Sequence, residues 1–94
     1  MIEAIRKDSL ILSDIDTNTN KYYILELIKS NESFVLIRRD GNLGNKPTIV
    51  KTSTSNRISA IKEYEKVLDK ILRKGYNFCY LEDIIYSDGS YYNS

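Results

Sequence analysis

Tyr22-Tyr23-Ile24-Leu25-Glu26-Leu27-Ile28-Lys29, the polar break Ser30-Asn31-Glu32-Ser33, and then Phe34-Val35-Leu36-Ile37-Arg38-Arg39 form the stretch whose reading decides the fold. Side chains alternate between the two faces of a strand, so Tyr23, Leu25 and Leu27 share one face while Tyr22, Ile24, Glu26 and Ile28 share the other. Apolar residues on both faces predict a central strand rather than an edge. The four-residue polar break is short enough for a hairpin. In the second arm Phe34, Leu36 and Arg38 share one face and Val35, Ile37 and Arg39 the other, so this arm turns basic as it leaves the core.

Working outward toward the C-terminus, Asp40-Gly41-Asn42-Leu43-Gly44-Asn45 reads as a turn with two glycines able to take positive φ. After Pro47, the β-prone run Thr48 to Thr52 predicts a third antiparallel strand. Ser53 to Asn56 offers capping residues. From Arg57 the apolar period becomes helical, at Ile58, Ile61, Tyr64, Val67, Leu68, Ile71 and Leu72, with Gly75 as the stop behind Arg73 and Lys74. Toward the N-terminus, Asp14 to Asn20 is a polar loop and Ser9 to Ser13 a short first strand. Tyr76 to Tyr86 could return as a last strand beside the sheet, and residues 87–94 form a polar tail. The expected fold is α+β: a small antiparallel β-sheet packed against one long amphipathic α-helix, in a single domain over residues 1–86.

Ninety-four residues supply one core and no room for a separate catalytic unit. No apolar run approaches the length that spans a bilayer, and Glu3, Arg6 and Lys7 fall where a signal peptide needs an apolar stretch, so an intracellular protein, cytoplasmic or nuclear, is expected. Cys79 is the lone cysteine and the chain has no histidine, which leaves no internal disulfide, no ordinary zinc-ligand set and no common general base. A non-enzymatic protein without metal or cofactor is the expectation. The net charge of +1 gives no global attraction to nucleic acid, so any such contact must come from a local basic patch.

From about Leu10 to about Glu82 the order and spacing of these elements resemble a WGR domain, the small module named for a central Trp-Gly-Arg. Asn20-Lys21 ahead of Tyr22-Tyr23 is similar to that family's Asn-Lys entry into an aromatic strand. Arg39-Asp40-Gly41-Asn42-Leu43-Gly44 sits where the family carries Arg-Trp-Gly-Arg-Val-Gly. Ala60 to Leu68 resembles its Ala-x-x-x-Phe-x-x-x-Phe helix, followed by Gly75-Tyr76-Asn77. The resemblance implies a module that sits on DNA near a break or end. The two eponymous side chains are replaced here: Asp40 stands at the Trp position and Asn42 at the Arg position. A carboxylate repels phosphate where an indole would pack, and an amide lacks the guanidinium fork.

What carries over is Asn20, Lys21 and Arg39, with the backbone shape set by Gly41 and Gly44. Lys21, Arg38, Arg39 and Lys46 are expected to form one basic rim at the strand ends, against the alternative that they are solvated strand-end charges. Lys62, Lys66 and Lys70, extended by Arg73 and Lys74, could track phosphate, but the interspersed Glu63, Glu65 and Asp69 read as an ordinary charged helix surface. Tyr23 and Tyr64 read as core. Tyr76, Tyr80, Tyr86, Tyr91 and Tyr92 could form an adhesive surface. The acidic pairs Glu63/Glu65 and Asp14/Asp16 lack the geometry or partners of a catalytic or calcium site.

Two functions follow. The first is a non-enzymatic nucleic-acid contact, to a DNA end or a protein–nucleic acid complex, through Asn20, Lys21, Arg38, Arg39 and Lys46. The alternative is a protein-interaction adaptor, or a small virus- or phage-encoded inhibitor of a host nucleic-acid-directed defence complex, using Asp40, Asn42, Tyr76 and Tyr80.

Overall fold

A computed structural model describes residues 1–82 and 84 of the chain. Strands β1 (Ile2–Asp14), β2 (Thr19–Ser30), β3 (Ser33–Asn42) and β4 (Thr48–Thr54) are followed by helix α1 (Arg57–Arg73) and a two-residue strand β5 (Asn77–Phe78). All strand pairs are antiparallel, in the order β4-β3-β2-β1-β5, and α1 packs on one face, giving the small α+β architecture expected. Among the described residues no helix is long and apolar enough to cross a membrane.

The alternation in β2 sorts the core into two clusters. Leu25 and Leu27, with Tyr23 at the margin, join Leu10, Phe34 and Leu36 under Ala60, Tyr64, Val67, Leu68 and Ile71 of the helix. Tyr22 and Ile24 face the other way, where Ile84 buries itself against them and Leu43, Cys79 and Leu81 pack alongside. The turn between β2 and β3 is as tight as its sequence suggests: Ser30 pairs with Ser33, and Asn31 takes φ +58°, which its short polar side chain tolerates.

Several elements differ from their sequence reading. β1 begins at Ile2 rather than Ser9, because the long β2 offers ladder partners out to Ser30 and the pairing continues through an irregularity between Ala4 and Arg6. β3 runs through Asp40, Gly41 and Asn42, paired with Tyr23, Tyr22 and Lys21, so the turn starts only at Leu43. Gly41 has no positive φ, whereas Gly44 sits at +91°. The requirement at Gly41 is space: a Cβ there would lie 3.4 Å from the Lys46 carbonyl oxygen and 3.5 Å from the Pro47 Cα. The last segment is not a long strand. Asn77 and Phe78 pair briefly with Ile11 and Leu10, the Cys79 N–H donates to the Ser9 carbonyl at 2.9 Å, and Leu81 and Ile84 then pack on the second face. The remainder of the predicted last strand and the 87–94 tail lie outside the described residues.

The helix starts where its cap predicts. Asn56 is extended, with φ −115°, and its Oδ1 accepts from the Ser59 N–H at 3.0 Å. Replacing Asn56 by Ala should cost about 1 kcal/mol of stability, read as a lower urea midpoint at unchanged m-value. Ile58, 66% exposed, falls off the buried stripe, since it lies about 120° around the helix from Tyr64 at 3.6 residues per turn. Ile61 and Leu72 flank the stripe and are also exposed. The helix stops at Gly75, φ +100°, whose N–H donates to the Leu72 carbonyl at 3.0 Å.

Candidate functional site

Cross-strand neighbours share a face, so the pairing register assembles the site. One row across the sheet is Leu12, Lys21 and Asn42, and the next is Leu10, Tyr23 and Asp40. Both rows point to the helix-bearing side, because Leu10 and Tyr23 belong to the cluster under α1. The helix ends before it covers the outer row. Gly75 then turns the chain inward, close enough for a Cβ to meet Leu12 at 3.5 Å, and this carries Lys74 and Tyr76 over the open end of the sheet. The result is a groove of about 370 Å³ lined by Leu12, Lys21, Tyr23, Asp40, Gly41, Asn42, Lys74 and Tyr76.

The wall of the groove is aromatic. Tyr23 and Tyr76 meet edge to face, with centroids 6.0 Å apart and planes at 88°. Burial pushes both phenols above their ordinary titration range. At Tyr23 the neighbouring Arg38 opposes that rise and Asp40 adds to it, and at Tyr76 Asp40 is the next cause after burial. Both rings therefore present a protonated hydroxyl. Asp40 sits electrostatically between the two phenols, and among the described residues it forms no ion pair.

Of the residues singled out from sequence, Lys21, Asp40, Asn42 and Tyr76 come together here. The others do not. Arg38 is on the same face, one strand position pair below Asp40, opposite Leu25 and Val50; its Nε is buried without a hydrogen-bond partner among the described residues. Arg39 projects from the opposite face and pairs with Glu26 at 3.1 Å, so it is separated from Lys21 by the thickness of the sheet. Lys46 is exposed in the 43–47 turn. Asn20 braces the β1–β2 end: its Oδ1 accepts from the Ser13 hydroxyl at 3.1 Å, and its carbonyl accepts from the Leu43 N–H at 2.9 Å. Tyr80 is 78% exposed beyond β5 and does not line the groove.

Lys74 and Tyr23 line the site without having been assigned to it. Lys74 reads as the last member of a charged helix surface and Tyr23 as core. The available signal was the Gly75 stop, which fixes where the residues on either side of it must point. Along that helix surface Arg73 pairs with Asp69 at 2.9 Å, both highly exposed, as a solvated face would. Among the described residues no three His, Cys, Asp or Glu side chains gather into a group that could hold a metal ion.

The sequence pattern that defines the WGR domain matches residues 7–79, most of the chain and every element that builds the groove. No curated protein and no solved structure matches it significantly.

Proposed function

The chain belongs to the WGR domain family, and on that premise we propose that it is a binding module for nucleic acid whose contact surface is the groove at the end of α1. WGR domains are generally nucleic-acid-binding modules and are not catalytic on their own. The observation that carries the reading is the placement of Lys21 and Lys74 in one groove beside the Tyr23–Tyr76 wall. Ammonium groups take phosphate oxygens, and an aromatic wall gives a sugar or base a surface to pack on. The basic residues that support this reading are therefore Lys21 and Lys74, with Arg38 behind them. Arg39 is already paired to Glu26 on the opposite face.

The test is a binding titration against a short duplex with a recessed end at two salt concentrations. Two phosphate contacts predict that log K falls with log[salt] with a slope of about −2. Lys21→Glu should weaken binding about tenfold or more and flatten that slope by about one unit. A salt-independent affinity, or an unchanged Lys21→Glu, would remove the groove from the contact surface.

A second reading, that the chain meets a protein, is supported by Phe78 in β5 and Tyr80 just after it, which expose 57% and 78% of their surface. Large exposed aromatics are favoured at protein interfaces. A partner captured by the wild-type chain and lost on Phe78→Ser, with no nucleic acid bound, would support that reading instead.

A further inference from the structure

We propose that the open edge of β4 is a docking site for an extended strand of a partner protein, one that sets a carboxylate side chain opposite Lys51 and apolar side chains around it. This goes beyond the nucleic-acid reading, since β4 contributes no residue to the groove. β4 is the last strand in the order β4-β3-β2-β1-β5, so one of its sides faces β3 and, among the described residues, the other faces no strand. The register fixes which groups lie on that open side. The Leu43 N–H donates to the Asn20 carbonyl, in line with the pairing of Lys21 with Asn42, and opposed residues in an antiparallel ladder alternate between exchanging backbone hydrogen bonds and not. Ile37 and Arg39 therefore exchange theirs with Glu26 and Ile24, while Leu36, Arg38 and Asp40 turn theirs to Thr52, Val50 and Thr48. Ile49, Lys51 and Ser53 are left with N–H donors and carbonyl acceptors directed outward.

The other side of the sheet shows what a protected edge looks like. β1 pairs with β5 only at Leu10 and Ile11, so its N-terminal half is a second open edge. That half carries Glu3, Arg6, Lys7 and Asp8 and an irregularity between Ala4 and Arg6, the charges and breaks that keep an edge from accepting another strand. β4 has little of this protection. Its pairing to β3 runs unbroken from Thr48 to Thr54, and all its residues but Lys51 and Ser53 are β-branched. Ile49 and Val50 expose 52% and 39% of their surface, on opposite faces of the edge. Only another extended backbone supplies acceptors and donors at the spacing of Ile49, Lys51 and Ser53, and strand addition of this kind is a recurring way of holding a peptide. Lys51, the one charged residue of β4, selects the occupant. Opposite charges across a strand pair stabilise it and like charges oppose it. A second copy of the chain is the poorer fit, because antiparallel β4 strands overlapped in full set Lys51 against its own counterpart.

The probe is a labelled peptide, Thr-Val-Thr-Glu-Thr-Val-Thr, equal in length to β4 and identical read in either direction, so that antiparallel and parallel addition both bring its Glu to Lys51. A companion peptide carries Lys in place of Glu. The Glu peptide should bind about fivefold or more tighter than the Lys peptide, and Lys51→Glu, an exposed substitution, should reverse that order. Amide exchange read by NMR locates the contact: with the Glu peptide bound, Ile49, Lys51 and Ser53 should slow, while Val50 and Thr52, already bonded to β3, should not change. Ser53→Pro removes an outward N–H without taking a bond from the β3 ladder, and should abolish binding with the fold intact. Equal affinity for the two peptides, slowing elsewhere than at those three amides, or no binding of either at about 1 mM would overturn the inference. So would a concentration-dependent dimer of the chain alone that slows the same three amides, which would assign the edge to a second copy. Each of these outcomes leaves the nucleic-acid reading to its own titration.

Discussion

Replacing Tyr64 by Ala is expected to remove about 3–5 kcal/mol of stability, the usual loss for a large buried aromatic, a large share of the 5–15 kcal/mol or so that holds a domain folded. Tyr64 is 1% exposed at the centre of the α1 stripe, and its ring fills the space between helix and sheet. Its hydroxyl donates to Asp8 Oδ2 at 2.6 Å, with the Leu25 carbonyl oxygen 3.2 Å away. Arg6 completes the arrangement, its guanidinium 4.8 Å from the ring centroid and its Nε 3.1 Å from the same Asp8 oxygen. Tyr64→Phe keeps the ring and should cost only about 1–2 kcal/mol, because Asp8 retains Arg6. Urea unfolding of the two variants separates the ring from the hydroxyl.

The same residue predicts an alkaline limit. Burial first, then the hydrogen bond to Asp8 and its charge, raise the Tyr64 phenol well above the ordinary value of 10.0. The folded state therefore holds a proton that the unfolded chain releases. Its contribution is present in full below pH 10.0 and is lost as pH rises from there through the folded value. Tyr64→Phe should flatten the fall of stability above pH 10.0, leaving the smaller contributions of Tyr23 and Tyr76.

On the other face, Tyr22→Ala should be comparably severe, about 3–5 kcal/mol by the same rule for aromatic truncation. Tyr22 is fully buried, packs with Ile24 and Ile84, and its hydroxyl donates to the Asn45 carbonyl at 3.0 Å. That bond ties the 43–47 turn to the sheet beside Gly41, where the glycine leaves room for the returning chain. Tyr22→Phe should cost about 1 kcal/mol, and it should speed amide exchange in the 43–47 turn without touching the strands. Uniform acceleration across the sheet instead would mean that the hydroxyl contributes to global stability and not to the turn.

The alternation of 22–29 was readable because both faces of a central strand must be apolar, and it correctly separated Tyr22 from Tyr23. The helix was readable from its cap and its glycine stop. Its buried face was less so: Ile58 is counted in the apolar period, yet it lies about 120° around the helix from Tyr64, off the stripe that meets the sheet. The N-terminal half of β1 was hidden because its helix-side residues Arg6 and Asp8 are polar; they pair with each other there, and Asp8 accepts from Tyr64, remote in sequence. Gly41 looked like a turn residue because glycine is permissive in two ways, by dihedral angle and by volume, and sequence does not say which is in use. The groove draws on four separate segments, β1, β2, β3 and the 74–76 stretch, and the sequence reading assigns Lys21 to nucleic acid and Asp40, Asn42 and Tyr76 to a protein partner, not to one groove.

The pairing order β4-β3-β2-β1 joins each strand to its neighbour in the chain, while β5 reaches β1 only after everything else has been threaded. Hairpins close small loops and lose little chain entropy; joining Leu10 and Ile11 to Phe78 and Asn77 closes most of the polypeptide for two residue pairs. On loop-closure entropy the meander is expected to form first and the pairing at Asn77 and Phe78 to be its final seal. A seal made last with few contacts is also the first to open. When it lifts, Tyr22 and Ile24 lose the cover of Ile84, while the rows of side chains that form the groove keep their register. Tyr76, one residue before Asn77, is the wall of the proposed groove that such an opening reaches, while the sheet rows stay in place.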